Sequence, residues 1–401
     1  MTKKLLEGSQ GIAEAVALCR PQVIAAYPIT PQTHIPQELA DMVANGKLKA
    51  EWVNVESEHS AASVVLGASA TGVRVFTASS SQGILLMNEV LFNIAGMRLP
   101  VVLVCVNRAI SAPLNIWNDQ QDSISQRDTG VIQLYAEDNQ EAADLVYQAY
   151  RIAEDHRVQL PVMVCLDGYV LSHAWETVDI PSQAQVDSFL PPFKPLYKLD
   201  PENPLSFGMY MEPDKYLETR YMIQHTMEQS IGIIQDVAHD FEKTFGRPAT
   251  AIIEEYQTHD ATTILVGMGS MVSLFKEEVD QLRSQGQKVG VLKIVCYRPF
   301  PKEELYESLK GAKHVIVIEK ATSLGFGGPV ASELRSVFYG RPHQPAISGF
   351  IAGLGGRDIT AETVKTALNK AHHHPVDTEY LDLRTDLELE GISNPAKQHK
   401  K

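Results

Sequence analysis

The sequence predicts an α/β protein built on doubly wound parallel sheets, and three observations carry that prediction. Short all-apolar runs alternate with helical segments through the first half of the chain. The same alternation resumes after a proline-rich stretch, and the apolar runs lack the in–out pattern of a sheet with one wet face. Strands apolar on both faces and separated by crossover helices belong to parallel sheets covered on both sides. In such sheets ligands lie in the crevice at the carboxyl ends of the strands, so the loops leaving those ends are where chemistry is expected.

Taken in order, Ala13 to Arg20 reads as the end of an amphipathic helix stopped by Pro21. Val23 to Tyr27 is a short buried strand broken by Pro28 and Pro31, Pro36 to Ala44 a helix, and Glu51 to Val55 a strand. Ser60 to Thr71 is a helix of small residues, suited to close backbone approach at a subunit seam, beside a cofactor, or in plain internal packing. A strand over Arg74 to Ala78, an apolar helix from Ile84, a strand over Val101 to Val106, a long polar loop, a helix near Gln140 to Asp155 and a strand over Val162 to Leu166 complete the first unit. Pro181 to Pro213 is an extended connector able to wrap another surface, and a helix runs from Thr219 to Phe245. A second α/β unit starts at Thr262, with strands over Thr263 to Val266, Val289 to Ile294 and Val315 to Glu319 and a helix over Val272 to Gln285. From His372 the chain is polar and reads as a surface tail.

Composition limits the function classes. A length of 401 residues favours two or three domains with their own cores, and 44% hydrophobic with 21% charged residues excludes wholesale disorder. Lys and Arg number 35 against 49 Asp and Glu, a net charge of −14 that argues against nucleic acid as a partner. No basic run suggests a membrane surface, and the longest apolar run, Leu99 to Val106, is too short to span one. Acidic residues at positions 7 and 14 precede any long apolar stretch, so no secretory signal is expected. Four cysteines, at 19, 105, 165 and 296, form no C-x-x-C pair or zinc spacing, which suits buried thiols in a reducing cytoplasm and gives no iron–sulfur ligand set.

Three strand-end loops could carry chemistry. In Tyr27-Pro28-Ile29-Thr30-Pro31-Gln32, two prolines fix the backbone around one hydroxyl, although a plain turn explains it as well. In Val55-Glu56-Ser57-Glu58-His59, one glutamate can cap the following helix and the other can be the working group. Arg108, just past a buried strand, can clamp a carboxylate or phosphate, or merely be solvated. The turn Gly267-x-Gly269 sits correctly for a nucleotide but lacks a third glycine. His372, His373 and His374 read as a helix-end surface cluster, and no metal site is expected.

Five motifs in order, YPITPQT (27–33), VESEHSA (55–61), TASSSQG (77–83), NRAISAP (107–113) and IWNDQQD (116–122), resemble the alpha subunit of multi-subunit 2-oxoacid:ferredoxin oxidoreductases, most closely the pyruvate enzymes. YRPFP (297–301) and GLGGRDIT (353–360) resemble the same subunit's second domain. The resemblance implies a thiamine pyrimidine-binding-type domain over residues 1–185, a linker and helix over 186–257, a transketolase C-terminal-like domain over 258–371 and a tail over 372–401. It also implies oxidative decarboxylation of a 2-oxoacid to an acyl-CoA, reversible, with electrons passed to ferredoxin. Thiamine diphosphate would be shared with a beta subunit that holds the diphosphate and Mg2+, and [4Fe-4S] clusters would sit on partner chains, including a gamma and a ferredoxin-like delta subunit.

By that resemblance Glu58 bonds the pyrimidine ring nitrogen, where the imino tautomer must form before the thiazolium proton leaves, and a desolvated carboxyl group suits that task. Tyr27, Pro28, Ile29, Ser81 and Gln82 would complete the cofactor surface, and Thr30, Arg108 and Asn115 would meet the substrate. The intact threonine of YPITP speaks against oxalate-oxidising relatives, and the absence of fused cluster domains suits one component of a split complex. Which 2-oxoacid is used stays open between pyruvate, a branched-chain acid and 2-oxoglutarate. A non-catalytic scaffold subunit is the alternative of another class. Ferredoxins are commonly acidic, so an acidic chain is a poor docking face for one.

Overall fold

A computed structural model describes residues 2–249, 252–384 and 386. In chain order the first half holds β1 (Thr2–Glu7), α1 (Gly8–Leu18), β2 (Val23–Ala25), α2 (His34–Ala44), β3 (Glu51–Val53), α3 (Glu58–Ala70), β4 (Val75–Ser79), α4 (Ser81–Leu86), α5 (Asn88–Gly96) and β5 (Val102–Asn107). It continues with α6 (Gln121–Ile124), β6 (Ile132–Tyr135), α7 (Asn139–Ala153), β7 (Val162–Asp167), β8 (Trp175–Ile180), α8 (Gln183–Phe189) and the long α9 (Pro213–Phe245). The rest comprises β9 (Ile253–Tyr256), β10 (Thr263–Gly267), α10 (Met271–Ser284), β11 (Val289–Ile294), β12 (Cys296–Arg298), α11 (Lys302–Leu309), β13 (His314–Glu319), α12 (Pro329–Phe338), β14 (Ala346–Ile351), α13 (Ala361–His373) and β15 (Glu379–Tyr380).

The apolar strands assemble as expected. One sheet has the order β12-β6-β7-β5-β4-β2-β3 and the other β15-β14-β13-β10-β11-β9, while β1 and β8 pair alone. All neighbours in the two large sheets are parallel except the edge strands β12 and β9. The strands β4, β5 and β7 are buried along their whole length, which is why their sequences carry no polar alternation. In the first sheet the chain runs outward from β2 to β3 and then back past it to β4. The carboxyl ends of β2 and β4 therefore flank a topological switch point, where a crevice forms.

Three arrangements differ from the sequence expectation. The strand β12 follows β11 of the second sheet, yet it pairs antiparallel with β6 of the first, Cys296 opposite Leu134. The YRPFP segment thus crosses the boundary expected at residue 258 and stitches the two units together. The connector after Pro181 folds in part on its own chain. It forms α8 and then lies on this chain's own α3–β4 corner, where Leu199 N donates to Ala70 O (2.7 Å) and Arg74 Nη2 to Pro191 O (3.0 Å). The expected tail from His372 begins inside α13, and β15 then adds to β14, with Phe350 opposite Glu379. Its last part, residues 387–401, lies outside the described residues.

Polar groups buried between the units fix how they meet. On one side Lys293 of β11 bridges Glu137, Glu141 and Glu254 at 2.8–2.9 Å. At the carboxyl ends, Lys320, just after β13, donates to Asp167 at the end of β7 (3.0 Å) and to Asn118 Oδ1 (3.0 Å). Burial pushes the Asp167 carboxyl upward, but Lys320 and the Ser270 hydroxyl outweigh it and hold the group below the usual carboxylate range. Asp167 is 1% exposed, so removing its cation leaves an uncompensated buried charge. Lys320→Ala is expected to lower the unfolding free energy by about 3–5 kcal/mol, and Asp167→Asn combined with Lys320→Met by clearly less. Urea titration of the three variants checks this; equal losses for the single and the double variant would contradict it.

Candidate active site

The site residues are carried by the ends of β2, β4 and β5 and by the head of α3. Around the α3 head, neither glutamate caps the helix. Ser57 does so, its Oγ accepting from Ser60 N (3.2 Å). Glu56 is exposed and accepts the Ser60 hydroxyl, a bond that holds its carboxyl below the usual range, and His59 is exposed as well. Glu58 is different. It is 8% exposed, begins the helix, and has no hydrogen bond or ion pair among the described residues.

The Glu58 carboxylate lies against the backbone of Gly83 in TASSSQG. A Cβ on Gly83 would stand 2.7 Å from Glu58 Oε1 and 2.2 Å from Ser79 Oγ, so only glycine fits. Ser79 Oγ is itself buried without a partner. The carboxylate is thus unpartnered among the described residues, while the Ser79 hydroxyl is sealed behind it against Gly83. Close approach follows from composition: the buried face of α3 is Ala61, Ala62, Val65, Ser69 and Ala70, packed inward, while Ser63 and Gly67 face out.

Thr30 and Arg108 come together. Arg108 Nη1 donates to Thr30 O (2.8 Å) and Nε to Asn115 O (3.2 Å), and the side chain is 6% exposed with no carboxylate partner among the described residues. No carboxylate among the described residues therefore neutralises its positive charge. The loop bearing Tyr27, Pro28, Ile29 and Thr30 is held by a residue the motif reading passed over: buried Gln32 donates to Ala78 O (2.8 Å) and receives Ile29 N (3.3 Å). Tyr27, Pro28 and Thr30 themselves are exposed. Ser81 and Gln82 tie the β4–α4 turn to the next loop: Ser81 Oγ can donate to Ala109 O (2.5 Å) and Gln82 Nε2 donates to Ser111 O (3.4 Å).

Behind these groups sits Asp122, fully buried, accepting from the backbone N–H of Ser81 (2.8 Å) and Arg108 (3.0 Å) and from Asn107 Nδ2 (2.7 Å). Burial pushes its carboxyl up, and those donors oppose the rise. The motif IWNDQQD also meets GLGGRDIT, a contact between residues far apart in sequence. Asn115 Nδ2 donates to Gly355 O (3.0 Å), and Gly356 N donates to Asn118 O (2.6 Å). Asn115 thus reaches the second unit, and its carbonyl also receives Arg108. The Gly267-x-Gly269 turn does not offer a phosphate cradle. Asp167 already accepts Ser270 N there (3.1 Å), and a Cβ on Gly269 would meet Gln120 Nε2 at 2.7 Å.

Residues 14–239 match the model described as pyruvate flavodoxin/ferredoxin oxidoreductase, thiamine diphosphate-binding, and residues 261–364 match pyruvate:ferredoxin oxidoreductase core domain II. The pyruvate synthase subunit PorA of Methanothermobacter thermautotrophicus is 47% identical over 388 residues, 97% of this chain and 100% of that one. The chain belongs to the pyruvate flavodoxin/ferredoxin oxidoreductase family. It is thus a subunit of a 2-oxoacid:ferredoxin oxidoreductase with a thiamine diphosphate-binding domain. Within the family, the ketoisovalerate oxidoreductase subunit VorA of Pyrococcus abyssi is 46% identical over 364 residues, 90% of this chain and 92% of that one. Among solved structures, 2-oxoglutarate:ferredoxin oxidoreductase from Magnetococcus marinus shares the fold, with a TM-score of 0.68 and 19% identity over 92% of this chain. This chain spans 65% of that one.

One feature of the family's IWNDQQD loop titrates near neutrality. Asp119 is buried, and burial pushes its carboxyl up to about 7, against the N–H groups of Gln121 (3.1 Å) and Gly355 (3.1 Å) and with the Asp122 charge adding to the rise. A carboxyl raised on folding stabilises the fold below its ordinary value near 4, and that contribution is lost as the pH rises through about 7. Glu319, also raised to about 7 by burial while accepting Val330 N and Ala331 N at the head of α12, acts with the same sign. The urea midpoint is therefore expected to fall between pH 5 and pH 8, and Asp119→Asn is expected to flatten part of that fall. An identical pH slope in the variant would remove Asp119 as the titrating group.

Proposed function

We propose that this chain is the alpha-type subunit of a CoA-acylating pyruvate:ferredoxin oxidoreductase and supplies the aminopyrimidine half of a divided thiamine diphosphate site. The observation that carries this reading is Glu58, a buried carboxylate with no partner of its own at a strand-end crevice. Glu58, set in place by its close approach to Gly83, suits a ring carrying a basic nitrogen, with Tyr27, Pro28, Ile29, Ser81 and Gln82 completing the cofactor surface. Bound there, thiamine diphosphate supplies the electron sink for cleaving the bond between the carbonyl and carboxylate carbons of the substrate.

The protein's own share is to hold and orient. Glu58 would hold a proton at its carboxyl oxygen for a ring nitrogen placed against it. Arg108, already anchored by two backbone carbonyls, presents its unneutralised guanidinium to the 2-oxoacid carboxylate, with Thr30 and Asn115 at its side. Pre-anchoring means little side-chain freedom is lost on binding.

The open rim supports a partner. Leu114, Trp117, Leu324 and Phe326 are large apolar side chains exposed on the strand-end loops of both units, Leu324 at 89%. Such a patch suits burial under another subunit. The covering chain is a beta subunit bringing the diphosphate site and its Mg2+. The [4Fe-4S] clusters belong to partner chains, including a ferredoxin-like delta subunit beside gamma, since all four cysteines here are buried in the cores. Soluble ferredoxin and CoA are the co-substrates, and the complex works in the reducing cytoplasm.

In the assembled enzyme, Glu58→Gln is expected to cut pyruvate- and CoA-dependent viologen reduction by about 10²–10⁴-fold while the subunits still co-purify. Turnover near wild type would strip Glu58 of its role and favour a scaffold subunit. Arg108→Ala is expected to raise the KM for pyruvate about 10–100-fold, the loss of a charged hydrogen-bonding partner, and to leave the KM for CoA in place. Equal shifts in both would mean the clamp is misassigned. The same assay with 2-oxoisovalerate and 2-oxoglutarate beside pyruvate distinguishes the pyruvate reading from its branched-chain and dicarboxylic alternatives.

A further inference from the structure

Away from the Glu58 crevice, three ligand-type side chains from distant segments converge. Glu7 ends β1, His34 begins α2, and His173 lies between β7 and β8. Glu7 Oε1 is 2.7 Å from His34 Nδ1 and 3.8 Å from His173 Nδ1, and the three ligand atoms all lie within 4.8 Å of one another. The two imidazole rings are 4.7 Å apart.

The Glu7 carboxylate is buried and caps the head of α1, and its ion-pairing partners among the described residues are these two imidazoles. A buried carboxylate needs a compensating positive charge. Two protonated imidazoles this close would repel each other. Ser172 Oγ receives Tyr169 N (2.9 Å) and shares a hydrogen bond with His173 Nδ1 (2.8 Å).

We propose that Glu7, His34 and His173 bind one divalent transition-metal ion, zinc by preference. Two neutral imidazole nitrogens and one carboxylate form a three-ligand set with a fourth position open to water. Ligands about 2.0–2.1 Å from a tetrahedral ion stand about 3.4 Å from each other, within the span found here after small rotations. His34 is the partly exposed ligand and gives the ion its entry. The ion replaces the Ser172 hydrogen bond at His173 and offsets the Glu7 charge, and the proton shared between His34 Nδ1 and Glu7 leaves to solvent. Because His34 follows Thr30 by four residues, the ion pins the Thr30 loop to β1 and to the β7–β8 segment.

The test is direct metal binding by the full-length chain, stripped with chelator. Co2+ titration is expected to give one equivalent per chain with the visible absorption of a four- or five-coordinate ion, displaced by Zn2+. His34→Ala and His173→Gln are each expected to weaken binding at least tenfold, and the exposure of His34 makes loss of folding in the first variant easy to exclude by circular dichroism. Absence of saturable binding would overturn the proposal and leave a Glu7–His34 pair charged by protonation. Unchanged binding in His34→Ala, with loss in His373→Ala, would overturn it too, by assigning the ion to the histidines at the end of α13.

Discussion

The buried pair Asp167–Lys320 holds the two units in register, and the site depends on it. Both sheets direct carboxyl ends at one seam, and the irregular segment from Asn115 to Gln120 fills the space between them. Irregular backbone inside protein is tolerated only when its polar groups are satisfied. Here Gln120 N finds Lys320 O (2.8 Å), Asp119 finds Gly355 N, and Asn118 finds both Lys320 Nζ and Gly356 N. Those partners belong to the second unit, so the loop has its shape only when Lys320 stands over Asp167. A buried ion pair adds little net stability over apolar packing. What it contributes is one allowed docking, because any shift leaves a charge unpaired.

From that seam the constraint passes to the reacting edge by backbone. The Asn115 carbonyl holds Arg108 Nε, Asp122 holds the N–H groups of Arg108 and Ser81, and Ser81 and Gln82 are tied to the following loop. A sharp contrast in satisfaction results. Asp122, Asp167 and Gln32 have several donors or acceptors each, whereas among the described residues Glu58 has none and Arg108 faces no anion. Burying unpaired groups costs stability, so a fold carries them where a ligand completes them. The satisfied residues form the frame, and the unsatisfied ones mark the surface that a ligand is proposed to meet.

Much of this frame was legible in the sequence, for local reasons. The strands β2, β4, β5, β7, β10, β11 and β13 show as short apolar runs, and the loops after β2, β3 and β5 follow directly from them. What stayed hidden was non-local or weakly patterned. The three-residue β12 has no periodicity and gains its place only by pairing with β6, itself four residues inside what reads as a polar loop. The pair β1 and β8 joins segments more than 160 residues apart, Thr2 opposite Ile180. Asp167 and Lys320 did leave a trace: Asp167 ends an all-apolar run and Lys320 follows one by a single residue, Glu319, positions that in a parallel sheet open on the crevice. The cap of α3 was misleading because Ser57 lies between two glutamates, and a serine cap is indistinguishable from a glutamate cap by spacing alone.

The small-residue helix shows how composition becomes site geometry. Its alanines and serine offered three explanations at the level of sequence, a subunit seam, a cofactor surface or internal packing. The buried face of Ala61, Ala62, Ser69 and Ala70 settles on this chain's own sheet, so internal packing accounts for it. Yet that packing is also what sets Glu58. With side chains this short, α3 can lie close over β2 and β4, and its first residue reaches the Gly83 backbone and the Ser79 hydroxyl. Larger residues at positions 61 and 62 would lift the head of the helix and move the carboxylate out of its cleft. The apparent choice between packing and cofactor was no choice, since the close packing is the means by which the carboxylate is placed.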